Sequence, residues 1–168
     1  MDSLPESRTW YVLHVKPRTE KVVDGHLAVM RVFHYLPLVR KVTKVQRRKV
    51  VRRIPVFPGY VFTRLRPEER TAIVGTRHVV RTIEVPNPRQ MIHQLRQVEH
   101  ACGLPSDLRL VPSFTEGEYV RVVSGPLRGV EGRVRRVGSR TSIVLTVDIL
   151  GQAIEATLPP VQLEKIRT

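Results

Sequence analysis

The chain has 168 residues, room for one domain or two small ones, and carries 29 Lys and Arg against 15 Asp and Glu, a formal net charge of +14. That balance points to a polyanionic partner. A single cysteine, Cys102, excludes an intrachain disulfide and a thiolate zinc site, and no apolar run approaches the ~18 residues of a membrane span. No charged-then-apolar leader is visible, so the expectation is a soluble, intracellular protein without metal or cofactor.

The charge is uneven. Residues 1–103 hold 20 basic and 8 acidic residues, a net of +12, whereas 104–168 hold 9 and 7. Between Asp24 and Glu68 there is no acid, and eleven Lys or Arg. The first part is therefore expected to face phosphates, and the second something else.

Trp10 to Lys16 is rich in β-branched and aromatic residues and reads as a strand ended by Pro17. Thr19 is placed to cap a helix in which Val23, Leu27 and Met30 share one face. Phe33 to Val45 reads as extended chain broken at Pro37, and Gln46-Arg47-Arg48-Lys49 as a basic hairpin tip leading into Val50, Val51 and Ile54. Pro58-Gly59 turns into the strand Tyr60 to Leu65. Pro67, Glu68 and Glu69 open a short helix, Val79 to Val85 is a strand, and Asn87-Pro88 starts a helix with the stripe Met91, Ile92, Leu95, Val98, stopped at Gly103. Strands and helices alternate enough for a sheet with helices packed on it.

Leu104 to Ser113, with Pro105 and Pro112, reads as a linker. Short strands follow at 118–123, 130–137, 141–150, 153–158 and 161–166, a number and length that suit a small barrel. Within them, Gly125, Pro126 and Gly129 build a turn, and Gly132 marks a close backbone approach or a bulge.

The segment Gly117 to Val134 resembles the KOW motif of small SH3-like barrels. Together with Trp10-Tyr11-Val12-Leu13, the run Ile54 to Phe62 and the helix Gln90 to Leu95, it resembles a NusG-type transcription factor, from about Trp10 to Ile166. Leu36-Pro37-Leu38 and the Ile-His-Gln-Leu helix lean toward the specialised RfaH and UpxY-like branch. The resemblance implies an α+β chain: an NGN domain over 1–103 (an antiparallel sheet flanked by helices), a linker over 104–113, and an SH3-like KOW β-barrel over 114–168.

It also implies a role. The NGN domain of such proteins sits on the clamp helices of the largest RNA polymerase subunit, which here matches His14, Tyr60 and Phe62. Tyr60 and Phe62 share one strand face, and core packing is the competing reading for both, as a structural role is for His14, a lone histidine in a strand. Lys16, Arg18, His26 and Arg77 match positions facing non-template DNA, and Arg47, Arg48, Lys49, Arg52 and Arg53 a hairpin tip and arm reaching toward upstream DNA; a solvated basic edge is the alternative for those five. Leu127, Val130, Ile149 and Leu150 match a patch for a small-subunit ribosomal protein or for Rho, with barrel packing as the alternative for the first two. The expected protein is a monomeric, non-enzymatic elongation and antitermination factor, cytoplasmic and travelling with polymerase on the nucleoid.

A ribosomal or general RNA-binding KOW protein is the competing function; the long patterned N-terminal half argues against it. An enzyme on nucleic acid is disfavoured by scattered histidines, unpaired carboxylates and the lack of a Gly-rich phosphate loop. The β-branched density of 141–150 predicts strand, not a helical hairpin, in the C-terminal part.

Overall fold

A computed structural model describes residues 7–104, 107–159 and 163–166. Its first elements in chain order are β1 (Thr9–Val15), α1 (Glu20–Val29), β2 (His34–Tyr35), β3 (Leu38–Val45), β4 (Arg48–Pro55), β5 (Tyr60–Leu65), α2 (Pro67–Val74), β6 (Val79–Glu84) and α3 (Pro88–Cys102). The chain divides into two compact units, Met1–Leu36 with Phe57–Pro88, and Pro37–Val56 with Arg89–Thr168.

The first unit is an antiparallel four-stranded sheet in the order β2-β5-β1-β6. Alternation along β1 and β5 sends Leu13, Val15, Val61 and Leu65 to one face, where α1 and α2 pack with Val23, Leu27 and Ile73; all seven are buried. The opposite face carries Val12 and Phe62, paired in register, and both are fully buried. Thr19 precedes α1 but does not cap it: its hydroxyl donates to the Lys16 carbonyl at 2.7 Å, closing the turn that leaves β1. In α2 the Glu69 carboxylate reaches back to accept from the Arg66 N–H at 2.8 Å, the acid half of a capping box.

In the second unit, β3 and β4 form a two-stranded hairpin of their own. The remaining strands are β7 (Leu108–Pro112), β8 (Tyr119–Val122), β9 (Glu131–Val137), β10 (Arg140–Val147), β11 (Gln152–Leu158) and β12 (Leu163–Lys165). They make an antiparallel sheet in the order β12-β8-β9-β10-β11-β7. Strand, not helix, is thus what 140–147 adopts, as its β-branched content predicts.

Two readings change. Part of the stretch read as linker is a strand, because Leu108–Pro112 pairs with β11 at the sheet edge, where Pro112 needs no ladder donor. The strand expected over 141–150 stops at Val147, and Asp148–Leu150 wind into a 3-10 turn closed by Gly151 at φ 61°. Residues 161 and 162 of the last expected strand lie outside the described residues, while Leu163–Lys165 pair with β8.

The glycine turn forms as expected, with the Gly129 N–H donating to the Val122 carbonyl at 2.7 Å and Gly129 at φ 91°. Gly132 is a close approach, since a β-carbon there would lie 2.6 Å from Leu145 Cδ2 and 2.7 Å from the Val144 carbonyl oxygen.

Candidate functional site

His14 of β1 and Tyr60 of β5 are register partners, and their rings stack 5.2 Å apart at 22°. The turn before Tyr60 is pinned twice: the Gly59 N–H donates to Glu20 Oε1 at 2.9 Å, and the Gly59 carbonyl accepts from Val15 N–H at 2.8 Å. Gly59 has φ 88°, backbone that glycine enters without strain, and it lies against the His14 ring, 3.6 Å from Cδ2 to where a β-carbon would sit. Glu20, only 7% exposed, was not singled out from sequence; an acid in a first helical turn looks like a dipole partner until the turn is seen.

Phe62 departs from the expected contact set. It is fully buried, so it supports the face from within, with the Tyr35 ring 6.4 Å away, and offers no accessible surface. His14 and Tyr60 keep partly exposed rings. Further along the same face the Arg64 guanidinium lies 5.9 Å from the Trp10 ring, which meets the 55% exposed Phe33 edge-on at 5.0 Å.

Four of the predicted cationic or imidazole side chains gather at one edge of the first unit. Lys16 and Arg18 leave β1, His26 lies on α1, and Arg77 precedes β6; all four are exposed. His78 ties them together: its carbonyl accepts from the Lys16 N–H at 2.9 Å, and its ring stacks on His26 at 5.9 Å and 27°. Arg18 and Arg77 both hold left-handed backbone, at φ 64° and 66°. That conformation is uncommon for non-glycine residues. Sequence reading passed over His78 because a lone histidine ahead of a strand carries no spacing signal.

Arg47, Arg48 and Lys49 are exposed at the hairpin tip. In the six-stranded sheet the expected patch separates. Leu127 and Val130 are 2% and 0% exposed, so they pack inside. Ile149 and Leu150 stay half-exposed on the 3-10 turn.

That turn is held by the polar side of α3, which sequence reading missed by attending to its apolar stripe. Gln90 and Gln94 donate to Asp148 Oδ2 at 2.8 and 2.9 Å, and Gln97 Oε1 accepts from the Glu131 N–H at 2.9 Å. His93 Nε2 lies 3.2 Å from the Tyr119 hydroxyl. These groups line a cleft of about 320 Å³ with Phe114, Arg133 and Thr146. Burial there, helped by Glu131 and opposed by Arg133, raises the Tyr119 phenol above its ordinary range.

No cluster of His, Cys, Asp or Glu able to hold a metal occurs among the described residues, and no helix among them is long and apolar enough to cross a membrane. Burial, with Glu99 beside it, pushes the Cys102 thiol up to about 11, so it is a poor nucleophile.

A family model described as "Transcription termination factor nusG" matches residues 8–100. "Transcription elongation factor Spt5" of Sulfolobus acidocaldarius is 30% identical over 93 residues, 54% of this chain and 61% of that protein's length. "Transcription termination/antitermination protein NusG" of Thermus thermophilus is 25% identical over 166 residues, 85% of this chain and 90% of its own. Among solved structures, "Crystal Structure of MjSpt4:Spt5 complex conformation B" covers 95% of this chain and 99% of its own at 15% identity and a TM-score of 0.31, too low to bear on the fold.

Proposed function

This chain belongs to the NusG family of transcription elongation and termination factors, and from that premise we propose that it binds the clamp helices of the largest RNA polymerase subunit and suppresses pausing and termination without catalysing a reaction. An NGN domain over 1–103 would carry the polymerase contact and a KOW domain over 114–168 the recruitment, with 104–113 between them, of which Leu108–Pro112 joins the sheet of the KOW strands. The observation that supports this reading most is the His14–Tyr60 stack, seated beside a turn that Glu20 and Val15 pin. Flat, preorganised, partly exposed rings are what a protein interface uses as anchors. The Lys16, Arg18, His26 and Arg77 edge, with His78, suits the backbone of exposed non-template DNA, and the hairpin tip suits upstream DNA. For the KOW partner, a small-subunit ribosomal protein or Rho, the accessible residues are Ile149 and Leu150.

The test is co-purification of the full chain with core polymerase. Replacing His14 and Tyr60 together by Ala is expected to weaken the complex at least about tenfold, since aromatic anchors commonly contribute about 2 kcal/mol or more. Both rings are partly exposed, so the double variant should stay folded and lose less stability than emptying a fully buried site would. Undiminished polymerase binding by a folded double variant would overturn the interface.

A further inference from the structure

One residue holds both ends of the turn that carries Lys16 and Arg18. Residues 15–20 leave β1 and enter α1, and they begin and end on Gly59. The Val15 N–H donates to the Gly59 carbonyl at 2.8 Å, and Glu20 Oε1 accepts from the Gly59 N–H at 2.9 Å. Between those bonds the Thr19 N–H donates to the Lys16 carbonyl at 3.1 Å, and the Thr19 hydroxyl donates to the same oxygen at 2.7 Å. Pro17 second and Arg18 third, at φ 64°, make the pattern of a type II turn, whose third position favours glycine. An arginine holds that position here, and an outlier of this kind points to function.

Gly59 also leads directly into Tyr60, whose ring stacks on His14, the residue before Val15. The polymerase anchor and the cationic turn are thus tied to the same residue, one from each side. A third bond, from the Lys16 N–H to the His78 carbonyl at 2.9 Å, hangs the turn on the histidine that stacks against His26. Glu20 is an acid set in a basic stretch, with Lys16, Arg18 and Lys21 about it in sequence. Burying its carboxylate costs desolvation, which the Gly59 N–H and the start of α1 offset.

We propose that Glu20 is a positioning residue that couples the two surfaces. By fixing Gly59 it sets the His14–Tyr60 stack and the Lys16–Arg18 turn together, so that engaging polymerase also orders the turn for exposed single-stranded DNA. This rests on the polymerase and single-strand readings of these residues and adds the link between them. At 7% exposure Glu20 is too buried to be a main contact of either partner, and it acts through the bond to Gly59. Each partner orders the loop that the other needs, and such coupling is reciprocal.

The full chain is titrated against core polymerase in pull-downs and against a single-stranded DNA oligonucleotide by fluorescence anisotropy. Charge alone predicts that E20A binds the oligonucleotide more tightly, since it removes an acid from a basic edge. Positioning predicts the opposite sign. E20A is expected to lose several-fold in both affinities. E20Q, which keeps an acceptor for the Gly59 N–H, is expected to bind polymerase as wild type does and DNA at least as tightly. In NMR spectra, E20A should shift the ring signals of His14 and Tyr60 together with the amides of Lys16 and Arg18, and speed exchange at Gly59; E20Q should restore them. The DNA loss should vanish in a K16Q/R18Q background and persist in R47Q/R48Q/K49Q, which separates this edge from the hairpin tip. I73A, which empties a buried site under α2 and takes part in none of these bonds, should lower Tm without either binding loss.

Wild-type affinities for E20A, or tighter DNA binding, would overturn the coupling. So would loss of one affinity alone, which would leave Glu20 holding a single surface, and so would equal losses in I73A, which would reduce it to a stability role. If H14A/Y60A bound polymerase like wild type, or K16Q/R18Q bound DNA like wild type, the reading of that surface would fall first and the coupling with it. With both of those losses in place, a fully binding E20A sinks the coupling alone.

Discussion

Gln94 and Asp148 bind each other reciprocally: Gln94 Nε2 donates to Asp148 Oδ2 at 2.9 Å, and the Asp148 N–H donates to Gln94 Oε1 at 3.0 Å. With Gln90 on the same carboxylate oxygen, α3 holds the turn that presents Ile149 and Leu150. Asp148→Ala is expected to cost about 1 kcal/mol in urea unfolding, since an exposed hydrogen-bonded carboxylate contributes modestly. Amide exchange should quicken at residues 148–150 and along 90–97. Unchanged exchange there would show that the bonds do not fasten the turn.

The sequence disclosed what depends on local periodicity and missed what depends on two distant segments meeting. Val23 and Leu27 on α1, or Met91, Leu95 and Val98 on α3, are spaced at helical intervals and are buried as that spacing predicts. Gly132 was legible because a glycine within a strand has few other reasons to be there. By contrast, i and i+2 alternation placed Tyr60 and Phe62 on one face without saying how deep each lies, and Phe62 proved fully buried. Glu20 beside Gly59, His26 on His78 and Gln94 with Asp148 join residues 39, 52 and 54 positions apart, a separation that no pattern within one element encodes.

Glu69 links pH to stability. Burial by itself would raise its pKa, but hydrogen bonds from the Arg8 side chain and from the Arg66 N–H and guanidinium outweigh it and lower the value from 4.5 to about 2. A carboxylate depressed in the folded state stabilises fully above its unfolded pKa and loses that contribution as pH falls through the folded one. The stabilisation is therefore present above about pH 4.5 and fades toward pH 2. Glu69→Gln should cost on the order of 2 kcal/mol at pH 7, with the half-exposed arginines screened by solvent, and nearly nothing at pH 2. Denaturant unfolding at the two pH values checks this; a deficit independent of pH would contradict it.

Tyr60 and Phe62 should separate binding from folding. Phe62→Ala empties a fully buried site and is expected to destabilise by about 3–5 kcal/mol. Tyr60→Ala, at a half-buried position stacked on His14, should lose less than half as much stability and more polymerase affinity. Thermal melts paired with polymerase pull-downs give both quantities. If Phe62→Leu, which keeps most of the buried volume, weakened polymerase binding as much as Tyr60→Ala does, the burial argument would fail.

Gly132 tests the packing of the six-stranded sheet. Its φ lies outside the left-handed region, so alanine adds little backbone strain, and the penalty falls on space alone. The new methyl would meet Leu145 Cδ2 at 2.6 Å and the Val144 carbonyl at 2.7 Å. The leucine can rotate away, but the carbonyl belongs to β10, which is paired on both sides with β9 and β11 and cannot retreat without opening a ladder. Gly132→Ala should therefore cost about 2 kcal/mol or more, in the range of overpacked cores. Gly138→Ala serves as the control: its φ is 59° with nothing within 4 Å, so it incurs only backbone strain of about 1 kcal/mol. Equal Tm losses for the two variants would mean that β9 and β10 give way more easily than their pairing implies.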